Sequence, residues 1–102
     1  MIRHLVLFNL KDSASEEDLA TVVRAAQQLL TRIPGVVNLA VSQSLNTHSQ
    51  SPFRHALTME FADEAALATY IDHPLHQEFR GLFAPRRDNV QSMDFVELPQ
   101  QG

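Results

Sequence analysis

An α+β protein with a four-stranded antiparallel sheet and its helices on one side is predicted for this 102-residue chain, which is long enough to bury one hydrophobic core. Three observations carry the prediction. Four segments show the alternating or all-apolar pattern of strands, two show the three-and-four spacing of amphipathic helices, and their order along the chain is β-α-β-β-α-β.

Residues 2–10, IRHLVLFNL, are rich in branched and aromatic side chains and read as a strand that is apolar on both faces. Ile2, His4, Val6 and Phe8 share one face, and Leu5 and Leu7 lie on the other. Ser15 with Asp18 three positions later has the spacing of a capping box and opens a helix. Leu19, Val22, Val23, Ala26, Leu29, Leu30 and Ile33 then recur at helical spacing until Pro34-Gly35 stops the run. Residues 36–45 alternate like a half-buried strand, residues 46–52 (NTHSQSP) form a polar loop, and residues 54–61 alternate again. A second helix starts near Asp63 and places Leu67, Tyr70 and Ile71 on one side before Pro74 interrupts it. HQEFRGLF has room for a further helical turn or two before Pro85, and residues 89–98 supply the last strand.

This order is the split βαβ, or ferredoxin-like, arrangement, with the whole chain as one domain. The sheet face away from the helices would carry Leu5 and Leu7 with Met93 and Phe95. The simplest cover for such an apolar patch is a second copy of the sheet, packed face to face in a two-fold homodimer.

In that topology the first strand lies between the third and the fourth. Each of the first and third strands is followed by a helix on the same face, so they are expected to run parallel and to bring His4 and His55 to one end. Asp94, late in an oppositely running fourth strand, returns to that end, and the tail of the second helix delivers Tyr70, His73 and His76 there. Imidazoles gathered in an apolar cleft hold pKa values near neutrality, which acid–base chemistry needs. Each residue also has a structural reading: His4, His55 and Tyr70 as satisfied core side chains, His73 as a cap on the last carbonyls of a helix, and His48 as loop surface.

Several function classes are disfavoured. The net charge is −4 and the only basic pair, Arg86-Arg87, reads as a solvated turn, so no nucleic-acid surface is expected. Without cysteine there are neither disulfides nor thiolate chemistry. No charged leader and no long apolar run are present, so no membrane partner is expected and a cytoplasmic protein is the default. His73 and His76 could share a zinc ion with His4 or His55, but the HxxxH spacing of a helical zinc pair is absent and no metal is expected. Three scattered glycines form no phosphate-cradling loop, so no nucleotide or flavin cofactor is expected either.

IRHLVLFNL, IPGV, HALTMEF, YIDHPLHQEF and MDF together resemble the stress-responsive A/B barrel (Dabb) family from Ile2 to about Leu98, with HPLH the most specific piece. The resemblance implies a ferredoxin-like protomer that pairs sheet to sheet as a dimeric α/β barrel. One branch of that family comprises plant polyketide (olivetolic acid) cyclases, which perform a cofactor-free aldol condensation. On that resemblance Tyr70 and His76 are similar to the catalytic pair and His4 and His55 to supporting pocket histidines. Asp94 matches a strand aspartate, and His73 the first histidine of the HPxH segment. Two departures stand out. Val22, Val23 and Ala26 occupy the helix that carries bulky aromatics in the cyclases, and Arg80 replaces a small residue. The polar groups therefore match while the walls do not, and the cyclase substrate does not carry over.

Two functions remain open on the sequence. The first is a cofactor-free acid–base enzyme on a small carbonyl or polyketide-like substrate, with His76 as base, held by Tyr70 or Asp94, and Tyr70 as hydrogen-bond donor. The second is a non-catalytic, stress-associated module that binds a small organic ligand. A cofactor-independent monooxygenase or isomerase is a third, by analogy of fold alone.

Overall fold

The computed structural model describes residues 1–45 and 50–100, so His48 lies outside the described residues. The elements are β1 (Ile2–Leu10), α1 (Glu16–Leu29), β2 (Val37–Gln43), β3 (His55–Phe61), α2 (Glu64–Asp72), α3 (Pro74–Phe83) and β4 (Arg87–Val96), with a 3-10 turn, Leu30–Arg32, prolonging α1. The sheet order is β2-β3-β1-β4 and every neighbouring pair is antiparallel. This is the ferredoxin-like β-α-β-β-α-β fold that the sequence predicts.

One expectation about strand direction fails. Neighbouring β1 and β3 are antiparallel, with Ile2 opposite Phe61 and Phe8 opposite His55. Each helical crossover joins strands that are parallel but one strand apart, β1 to β2 and β3 to β4, so interleaved neighbours must oppose one another. His55 therefore stands at the end of the sheet away from His4, whose register partners are Met59 and Asp94.

The capping box forms as read. The Asp18 N–H donates to Ser15 Oγ, and the Ser15 N–H donates back to the Asp18 carboxylate at 2.9 Å. Arg86 Nε also donates to Asp18, at 3.2 Å, and its Nη1 donates to the Leu82 carbonyl at 2.7 Å. Arg86 thus ties the start of α1 to the turn before β4 and is no free surface charge. Gly35 sits at φ +93°, where a Cβ would meet the Ala66 methyl at 3.2 Å, so a residue with no side chain suits this turn.

A larger difference concerns Pro74. It begins a ten-residue helix, α3, where the sequence reading allowed a turn or two. Proline is tolerated at the first helical position because its missing N–H has no intrahelical partner there. His73, extended at φ −70° and ψ 139°, is the N-cap: its Nδ1 accepts from the Leu75 N–H at 3.1 Å. The imidazole thus caps the start of α3, while the last turn of α2 is closed by the His73 backbone N–H, which donates to the Tyr70 carbonyl at 3.2 Å.

The core lies between the sheet and the helices. Phe8, Phe61, Leu30, Ile33, Met59, Val22 and Ala26 are almost wholly enclosed. Burying each of the larger side chains contributes about 1.5–3 kcal/mol. On the opposite face Leu5 and Leu7 are half-buried, and Met93, which pairs with Leu5, is 39% exposed and Phe95 45%. Among the described residues no helix is long and apolar enough to cross a membrane.

Candidate functional site

Four of the six residues singled out in the sequence meet at one corner between sheet and helices. His4, on the helix-facing side of β1, stands in register with Asp94 on β4, and its Nδ1 lies 2.6 Å from Asp94 Oδ1. A carboxylate only accepts, so Nδ1 carries the proton and Asp94 fixes the ring.

Tyr70, in the last turn of α2, is 1% exposed. Its ring lies 5.6 Å from that of His4, 5.2 Å from that of Phe61 and 4.4 Å from that of His76, centroid to centroid. Its hydroxyl makes no hydrogen bond to another described residue. Burial first, and then the negative charge of Asp94, push the phenol far above its ordinary range. Tyr70 is therefore a proton-bearing donor across the physiological range.

His76 lies on the third position of α3. The final carbonyls of a helix lack intrahelical donors, and His76 Nδ1 supplies one to the Ile71 carbonyl of α2 at 2.9 Å. A carbonyl accepts only, so Nδ1 holds the proton and Nε2 is the basic nitrogen of the neutral ring. Burial pulls the imidazole below its ordinary range, the Ile71 bond opposes this, and the charges of Arg80 and His4 lower it further. The anchor of His76 is thus the Ile71 carbonyl. Tyr70 packs against the ring, and Asp94 is engaged with His4.

These groups line a cleft of about 360 Å³. Val6, Leu57, Phe79 and Phe83 form its apolar wall, and Ser92, Arg80 and Arg87 also border it. His55 and His73 do not. His55 stacks on Phe8 at 5.3 Å, and its buried Nδ1 has no hydrogen-bond partner among the described residues. Burial and then Arg54 lower its pKa. His73 is the helix cap described above. Among the described residues no three His, Asp or Glu side chains come together in a way that would hold a metal ion.

The family model of the stress-responsive A/B barrel domain (Dabb) matches residues 2–97. The chain belongs to that family. It is 24% identical over 95 residues to the stress-response A/B barrel domain-containing protein HS1 of Arabidopsis thaliana, covering 92% of this chain and 87% of the relative. The crystal structure of a Dabb protein with a ferredoxin-like fold from Mesorhizobium loti is similar at 29% identity and a TM-score of 0.85, over 96% of this chain and 97% of that one. A dimeric ferredoxin-like protein of unknown function from Thermobifida fusca is 25% identical with a TM-score of 0.82, over 94% and 90% of the two chains.

Part of the site in this Dabb protein escapes the sequence reading. His76, Phe79, Arg80 and Phe83 follow the i, i+3, i+4, i+7 spacing of a single helical face, a signal that depends on α3 being a full helix. Arg87 belongs to β4, lies 6.0 Å from the centroid of the Phe83 ring and borders the cleft, so it is no part of a solvated turn. No residue of α1 lines the cleft, because Val22 and Ala26 are spent in the core. The aromatic wall comes from α3 instead.

Proposed function

We propose that this Dabb protein is a cofactor-free acid–base catalyst that removes a proton from carbon beside a carbonyl in a small organic substrate. The observation that carries the reading is His76: a neutral imidazole with Nδ1 committed to a carbonyl, Nε2 left basic, and its ring against a buried phenol whose hydroxyl bonds no described residue. In the forward step Nε2 takes the proton, the C–H electron pair moves into the enolate, and the Tyr70 hydroxyl donates a hydrogen bond to the oxygen where charge develops. The proton then returns from Nε2–H to carbon; in an aldol-type step the enolate carbon instead bonds to an acceptor carbonyl carbon, the π pair of that carbonyl moves to its oxygen, and this alkoxide takes the proton from Nε2–H. Asp94 positions His4, which keeps the cleft polar beside the reacting atoms. The similarity of Tyr70 and His76 to the catalytic pair of the plant cyclases supports these roles.

The non-catalytic alternative, a cleft that only holds a ligand, is separated from this one by exchange in D2O. Small aryl and alkyl ketones incubated with the protein are expected to lose their α-proton signal in NMR faster than in buffer. Ketones that bind without any accelerated exchange would leave a binding module and remove the catalyst.

We also propose that two copies pair through the sheet face that carries Leu5, Leu7, Met93 and Phe95; that the similar ferredoxin-like protein from Thermobifida fusca is dimeric supports a pair. Light scattering at micromolar concentration should give twice the 11.5 kDa chain mass. Leu7→Glu, which puts a charge in a dry interface, should shift the population to monomer or aggregate. A stable parent monomer across that range refutes the pairing.

A further inference from the structure

The cleft carries a charge that proton abstraction from a neutral ketone does not call for. The chain has a net charge of −4, yet two guanidinium groups, Arg80 and Arg87, border the cleft. Asp94, the carboxylate on the same lining, is already engaged with His4. Of the other arginines, Arg24 pairs with Glu17 and Arg86 with Asp18, while Arg3, Arg32 and Arg54 form no ion pair with a described residue and do not border this cleft. Neither Arg80 nor Arg87 forms an ion pair with a described residue, and Arg87 donates only to the carbonyl of its neighbour Asp88 while lying near the Phe83 ring. Arg80 sits one helical turn, about 6 Å, beyond His76 on the same face of α3.

We infer that the cleft takes a small organic acid, a carboxylate carried on an aryl or acyl ketone, with Arg80 and Arg87 holding the carboxylate and Phe79, Phe83, Val6 and Leu57 enclosing the apolar body. This rests on the acid–base reading for the ketone and on the two arginines for the acid. A guanidinium presents a planar fork that matches a carboxylate through two parallel N–H···O bonds, and a partly apolar wall strengthens such bonds. A phosphate is less well served, because no glycine borders the cleft to bring backbone N–H groups close. A volume of about 360 Å³ also suits a one-ring acid better than a nucleotide. The charge has a chemical use: forming an enolate near a free carboxylate would bring two negative charges together, and pairing the carboxylate with arginine offsets that repulsion.

The test compares 4-oxo-4-phenylbutanoate, an aryl ketone acid, with its uncharged amide by calorimetric titration. The acid is expected to bind about tenfold or more tightly than the amide. Arg80→Gln and Arg87→Gln should each weaken the acid several-fold and leave the amide alone, and added salt should weaken the acid selectively. Equal binding of acid and amide, acid binding indifferent to both substitutions, or no binding of either at millimolar concentration overturns the inference. Exchange of the α-protons of both compounds keeps the two readings apart. Acid held by the arginines without exchange removes the catalyst and keeps the anion site; equal binding and exchange of acid and amide does the reverse.

Discussion

His76→Gln is expected to give a folded protein in which ketone α-proton exchange falls by about 10²–10⁴-fold, the contribution of a positioned general base. Glutamine can still donate to the Ile71 carbonyl, so the junction between α2 and α3 keeps its hydrogen bond while the basic nitrogen disappears. In the parent, exchange should fall with acid as Nε2 becomes protonated. Because burial and the charges of Arg80 and His4 depress the imidazole, that acid limb should lie below the ordinary value of about 6.5. Stability follows the same sign. The unfolded chain takes up this proton before the folded one does, so stability is lost as pH falls from about 6.5 towards the depressed folded value, and no further below it. His55, depressed by burial and Arg54, adds in the same direction. Exchange rates by NMR and denaturant midpoints across pH 5–8 (the range in which an imidazole titrates) check both. Exchange that survives in His76→Gln, or an acid limb above the ordinary imidazole value, rejects His76 as the base.

The strands, the first helix and its capping box were legible because each rests on local chemistry: alternation, helical spacing, and a Ser–Asp pair that closes on itself. The corner of His4, Tyr70, His76 and Asp94 was legible too, since strand order and the antiparallel pairing of β1 with β4 set His4 opposite Asp94. The placement of His55 failed on a relation between strands that no local pattern encodes, the direction of β3 relative to β1. The length of α3 was missed because Pro74 reads as a breaker unless the residue before it supplies a cap, and histidine is an uncommon one. With α3 foreshortened, the face that aligns Phe79, Arg80 and Phe83 with His76 could not be drawn. That is why the arginines read as a departure from a family pattern and as a surface turn when they in fact border the site.

Phe61→Ala and Tyr70→Phe should have opposite consequences although the two rings touch. Phe61 ends β3, has no exposed surface, and packs its ring 5.2 Å from that of Tyr70 and 6.3 Å from that of His4. Truncating it leaves a cavity in a close-packed core and should cost about 3–5 kcal/mol. The same cavity removes the support that holds the phenol and the His4 ring in place, so ligand binding should weaken even where the protein remains folded at low temperature. Tyr70→Phe keeps the ring and its packing and deletes a hydroxyl that no described residue bonds, so stability should stay within about 1 kcal/mol of the parent. Exchange should nevertheless fall, because the donor to the enolate oxygen is gone. Urea unfolding of the two variants, read beside their exchange rates, tests this. If Tyr70→Phe destabilises as much as Phe61→Ala, the hydroxyl is a structural group and Tyr70 cannot be the donor. If Phe61→Ala costs under about 1 kcal/mol, the aromatic cluster yields too easily to position a catalytic pair.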